Sequence, residues 1–274
     1  MKAGGTRQKA TASGWLAAFC LFPFAFCLFA CTPKPPALPA GAASPFPEYQ
    51  QAWTEATREC ARVQTLTASL AMSGKVAKTT LRGRIDAGFA APSSLRLEAV
   101  APFGRPVFVL VATGDAGTLL LERDNRVLRG ARPADIVEAL AGVPLGAADL
   151  RAVVTGCGLW AAASPHEGRR YADGWAAIDL DDGTAFLRQA NARWRIAAAS
   201  SPHMTVRYDL DRDGRPSTIR IFTDASTTAA DLTLRVSQVD INVTLTPRTF
   251  TIDVPRDAAP ITLDELRRAG PLGR

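Results

Sequence analysis

The sequence predicts an α+β domain built on a strongly curved antiparallel sheet. Two observations carry this. From Ala68 onward, apolar and polar residues alternate over many short stretches, as in strands buried on one face. Between these stretches lie a few segments with helical spacing, and no repeat of fixed period divides the chain. The 274 residues are 47% apolar and 21% charged, enough to bury a sizeable core. Of the net charge of +6, Lys2, Arg7 and Lys9 supply three before residue 31, where no Asp or Glu occurs; the remainder carries +3. That balance, with no run of five Lys or Arg, argues against nucleic acid as a partner.

Residues 1–13 are basic and polar, and Gly14–Ala30 is uncharged and apolar, the order of a secretory signal. A transmembrane anchor is the rival reading. Seventeen residues at a helical rise reach only about 26 Å, short of a hydrocarbon core of about 30 Å, and Pro23 interrupts them. Leu28-Phe29-Ala30-Cys31 resembles the bacterial lipobox: a small residue precedes a thiol that is thioether-linked to diacylglycerol. Cys20 and Cys27 each follow a bulky Phe, which leaves Cys31 as the lipidation site and residues 1–30 as the signal. In lipoproteins of this kind, Thr rather than Asp after the cysteine implies the outer membrane, so Thr32 places the anchored domain there, facing the periplasm.

Residues 31–47 hold six prolines and read as a stiff tether from lipid to domain. The domain is expected over 48–256. A helix is predicted from Glu48 to about Leu66, where Tyr49, Ala52, Trp53, Ala56, Cys60 and Val63 recur at three- and four-residue steps. Strands follow at Leu81–Phe89 and Leu95–Ala99. Pro106–Ala112 and Thr118–Leu121 are apolar on both faces and so the most covered. Pro133–Ala141 and Ala147–Thr155 are helices that end near glycine. Asp181-Asp182-Gly183 and Asp213-Gly214 signal hairpin turns. Leu232, Leu234 and Val236 are out of phase with Val239 and Ile241, so a bulge is expected near Ser237-Gln238. Phe250–Pro255 is expected as a last short strand, with 257–274 a loose tail.

Catalytic chemistry is sparse. His166 and His203 have no ligand partner at metal-binding spacing, and Ser164, His166 and Asp173 sit too close in sequence for a triad. Asp209-x-Asp211-x-Asp213-Gly214 imitates a calcium loop, but Arg220 stands where the bidentate carboxylate belongs, so a hairpin is expected. No metal, cofactor or catalytic residue is predicted, and the chain is read as a non-enzyme. Cys60 and Cys157 could form a disulfide in an oxidising compartment or remain two buried thiols.

Leu95–Leu110 (LRLEAVAPFGRPVFVL) resembles the strand, Pro-x-Gly turn and strand of the LolB family of outer-membrane lipoprotein receptors. Ala131–Gly156 resembles that family's helix, Gly-x-Pro link and second helix. Glu48–Gly74 and Leu232–Val243 are similar to its start and its last strand pair. The related LolA carriers share the fold. The resemblance implies an unclosed β-barrel around an apolar cavity, with helices as a lid and acyl chains of lipoproteins or another lipid as ligand. Leu81, Ile85, Phe89, Leu95, Leu97, Phe108, Leu110 and Leu120 are the expected lining. It further implies a monomer that a periplasmic carrier protein loads. A Pro102-Phe103-Gly104 turn would help place cargo in the membrane, although Phe103 could equally fold back onto the core. The other function class is an envelope scaffold lipoprotein using the same sheet for assembly.

Overall fold

The computed structural model describes Met1, Gly4 and residues 37–100, 106–159, 163–224 and 229–270. Cys31, the signal and the 102–104 turn lie outside the described residues, and so does the first part of the tether. The chain enters with β1 (Ala43–Pro45), α1 (Tyr49–Thr57) and a 3-10 turn (Cys60–Arg62). Next come β2 (Thr65–Val76), β3 (Thr79–Ala90), β4 (Ser94–Val100), β5 (Pro106–Thr113), β6 (Ala116–Leu121) and β7 (Arg126–Ala131). Helices α2 (Pro133–Ala141) and α3 (Ala147–Val154) follow. The chain returns to strands with β8 (Glu167–Tyr171), β9 (Ala176–Leu180), β10 (Gly183–Ala190), β11 (Arg193–Ser200), β12 (Met204–Leu210), β13 (Pro216–Thr223) and β14 (Ala230–Ile241). A second 3-10 turn (Pro247–Phe250), β15 (Ala259–Pro260) and α4 (Leu263–Ala269) complete it.

The strands form one sheet in the order β1-β8-β9-β10-β11-β12-β13-β14-β2-β3-β4-β5-β6-β7-β15, antiparallel except for β15 on β7. Laid flat at about 4.8 Å per strand, such a sheet would be roughly 65 Å wide. Yet Leu119 of β6 and Leu187 of β10 belong to one buried cluster with Ile219 of β13. The sheet therefore curves around that cluster, and β1 and β15 remain as unjoined edges. This is the unclosed, curved α+β sheet that the sequence predicts.

Local chemistry explains the elements. Pro133 opens α2 and Gly142 ends it at φ 66. The Gly146 N–H donates to the Asp149 carboxylate at 3.2 Å to start α3. The register of β14 on β2 slips between Val236 and Gln238, where the phase change predicts a bulge. Gly74 is required: at φ +147, a Cβ there would meet the Asp231 carbonyl at 2.1 Å.

Four sequence expectations are corrected. The first helix ends at Thr57, not near Leu66; Cys60 opens a 3-10 turn bridged to Cys157, and Val63 is already extended. The tether is not free over its whole length. Leu38 packs on Trp175, Phe186 and Ala198, Phe46 is buried, and the Arg207 guanidinium donates to the Ala37 carbonyl at 2.5 Å. Phe250–Pro255 is not a strand, because the Thr249 and Thr251 carbonyls accept from Arg96 at 3.2 and 2.9 Å instead of from a ladder. The tail is packed: Ile261 and Leu266 are buried, α4 lies on α2, and Thr262 and Glu265 cap each other's backbone N–H. Among the described residues, no helix is long and apolar enough to cross a membrane.

Candidate functional site

Strand alternation sends one side chain in two to the concave face. From β2 come Leu70 and Met72, from β3 Ile85 and Phe89, from β4 Leu97, and from β5 Phe108. Ile221 of β13 and Leu232 and Leu234 of β14 complete a continuous apolar floor. Helix α3 lies over β3, β4 and β13, and α2 over β6. Val137, Leu140, Leu150, Val153 and Val154 of these helices, with Val143 of the link between them, face this floor. A cavity of about 90 Å³ remains between the layers, and every residue lining it is apolar. Small-molecule pockets usually measure at least about 300 Å³. The cavity is therefore small, with room for about three waters' volume. Half-buried Leu97 and Leu150 line it where it nears solvent.

The lid is held at three places. The buried Thr223 hydroxyl donates to the Gly142 carbonyl at 3.0 Å, at the end of α2. The Cys60–Cys157 disulfide, with Cα atoms 5.8 Å apart, ties the residues after α3 to the turn after α1. Helix α4 packs on α2, with Arg267 3.9 Å from Glu138.

Of the residues expected to line the cavity, Ile85, Phe89, Leu97 and Phe108 do so. Leu81, Leu95 and Leu110 are buried in the same cluster without reaching the cavity. Leu120 is placed differently. Its neighbour Leu119 belongs to the inner cluster, so Leu120 points to the outer face, in register with Val109 and Val127. The sequence missed the lid side chains, although Ile136, Val137 and Leu140 already show helical spacing.

A larger groove of about 540 Å³ runs between the Cys60 turn and α3, but Thr57, Asp149, Arg151 and Thr155 make it partly polar. Burial pushes the Arg151 guanidinium pKa down. The smaller cavity differs in being apolar on every lining residue, so it presents no polar group to hydrocarbon.

Polar groups are arranged as surface pairs. His166 Nε2 lies 2.6 Å from Asp181, not from Asp173, and His203 Nδ1 lies 3.5 Å from Asp224; both pairs are exposed. Asp211 accepts from the N–H groups of Asp213 and Arg215 at 2.8 and 2.9 Å, which makes the 209–214 segment a hairpin turn. Arg220 pairs with Asp231. Burial pushes the Tyr208 hydroxyl pKa up, so it stays neutral. Among the described residues, no group of three His, Cys, Asp or Glu could hold a metal ion.

No family model matches the sequence, and no curated protein matches it. Solved structures do. The chain is similar to a DUF1329 family protein from Desulfovibrio piger at 10% identity and a TM-score of 0.50, covering 73% of this chain and 96% of that one. It is similar to a LolA superfamily protein from Nitrosomonas europaea at 12% identity and a TM-score of 0.48, covering 74% and 97%. A lipoprotein-sorting protein domain from Vibrio parahaemolyticus, described as a putative outer-membrane one, is similar at 13% identity and a TM-score of 0.45, covering 73% and 96%. At these identities the likeness concerns the fold alone, and the chain has that fold: one curved, unclosed antiparallel sheet with helices across its concave face.

Proposed function

We propose that this protein is a lipid-anchored envelope lipoprotein that takes acyl chains into the cavity beneath α2 and α3. Cys31 carries the anchor, and the acyl chains belong to lipoproteins that the domain receives from a periplasmic carrier and inserts at the outer membrane. The observation that carries the reading is the wholly apolar lining of a small cavity between two layers. Burying each methylene contributes about 0.8 kcal/mol, so hydrocarbon chains bind there without a polar anchor. The lid must move outward to admit one, because the cavity is far smaller than a ligand pocket. The lipobox supports this reading. On it, the Pro102-Phe103-Gly104 turn meets the membrane during transfer.

Native mass spectrometry of the full chain with a diacyl lipopeptide tests it. The wild type is expected to retain the lipopeptide. Leu140→Trp and Val143→Phe, which fill the cavity, should each weaken binding by about tenfold or more while the fold survives. Failure of the wild type to bind, or binding indifferent to both substitutions, would overturn the proposal.

A further inference from the structure

We propose that the outer face of β2, β3 and β12–β14 is the surface this domain lays on anionic phospholipid headgroups, in the membrane that holds its anchor. The proposal rests on the lipid-anchor reading of Cys31. Ladder register sets the face out. Arg207 pairs with Arg220, Arg220 with Thr233, Thr233 with Ser73 and Ser73 with Arg82, all in one row across the sheet. The next row on the same face runs Asp209, Thr218, Arg235, Ala71, Arg84. Lys75, opposite Asp231, belongs to the row on the other side. These residues alternate with the buried Met72, Leu81, Ile219 and Leu232, so they point away from the core.

The charges are unequal. Lys75, Arg82, Arg84, Arg207, Arg220 and Arg235 stand against Asp86, Asp209, Asp231 and Asp240. The excess of two is most of the net charge of three that the chain carries after residue 30. Asp86 is held by Arg84 at 3.0 Å and Asp231 by Arg220 at 2.7 Å. Lys75, Arg82 and Arg235 are exposed and make no ion pair among the described residues, which leaves them for an outside anion.

The chain's reach selects the occupant. Ala37 is fixed on this sheet by Arg207, a member of the first row. From Ala37 back to Cys31 the chain spans at most about 20 Å. Arg207 and Arg82 stand four strands apart, also about 20 Å. An anchor on so short a link keeps the cationic rows within reach of the surface it enters, where phosphate headgroups supply the complementary charge.

The test uses the full lipidated chain, with diacylglycerol at Cys31 confirmed by the mass of the N-terminal peptide, inserted into preformed vesicles. Lysines are acylated and the rate at Lys75 is read. In vesicles containing phosphatidylglycerol, Lys75 is expected to react roughly fivefold more slowly than in phosphatidylcholine alone. Salt at 1 M, where screening acts within about 3 Å, should remove the difference. So should Arg82→Glu with Arg235→Glu, whose exposed side chains leave the melting temperature unchanged. Equal rates in the two vesicle types, with the lipid confirmed, would overturn the proposal. A peptide without lipid would sink the anchor reading separately. Sedimentation with phosphatidylglycerol vesicles then decides the face, salt-sensitive binding sustaining it and no binding overturning it.

Discussion

Residues 37–38 and helices α2 and α3 both cover the sheet, one from outside and the others from inside, and they cover it differently. On the outer face of β8–β11 the contact is filled. Leu38 packs on the cluster of Trp175, Phe186, Ala197 and Ala198, and Trp175 stacks with Arg188 and Arg207 at 5.2 and 5.9 Å. Such pairs combine apolar burial with cation–π attraction. On the inner face the helices leave a void of about 90 Å³ that no side chain enters. Close packing is the rule in interiors, so an apolar-lined void marks a place where the packing is incomplete. The outer contact is filled, whereas the inner one leaves room for the opening we propose.

Substitutions should separate the two covers. The largest effect is expected from removing the disulfide, Cys60→Ser with Cys157→Ser. It closes a loop with a sequence separation of 97, and its loss should cost about 4 kcal/mol in denaturant unfolding. Hydrogen exchange should also rise in α3 before it rises in 37–38, and the reverse order would contradict the comparison. Next comes Phe186→Ala, on the outer face beneath Leu38, which should cost about 3 kcal/mol and expose 37–38 to proteolysis. Leu140→Met in the lid, beside an existing void, should cost less than about 1.5 kcal/mol. Equal costs would mean that the inner cover is as tightly packed as the outer.

The smallest effect concerns α4, which braces the lid. The Thr262 backbone N–H, its hydroxyl and then Arg126 hold the Glu265 carboxyl below its usual pKa of 4.5. A folded pKa below the unfolded one stabilises above the unfolded value, and the contribution disappears as pH falls through the folded value. Protease cutting at Arg267 or Arg268 should therefore rise only below pH 4.5, and Glu265→Gln should cut equally well on both sides of it.

Much of the inner layer was legible because period decides it. The α2 and α3 segments, the bulge after Val236, and Ile85, Phe89, Leu97 and Phe108 all follow from spacing or phase. Leu120 shows where period fails. In Thr118–Leu121 both faces are apolar, and since Val109, Leu120 and Val127 are buried on the outer side, alternation could not tell inside from outside. The tether misled for another reason. Proline excludes helix and central strand but not a three-residue edge strand, and only Leu38 and Phe46 hinted that the segment docks. The tail's signal was present and overlooked, since Thr262-x-x-Glu265 is a capping box ahead of Leu266. The cavity's size could not be read at all, because it depends on how far two layers stand apart.

Hydrogen exchange with and without a diacyl lipopeptide tests the central claim most directly. If the cavity opens to take an acyl chain, amides in 133–154 should change their exchange on binding, while those of 43–57, α1 and the docked tether, stay as they were. Binding that leaves 133–154 unaltered, or that alters both regions alike, would contradict the account.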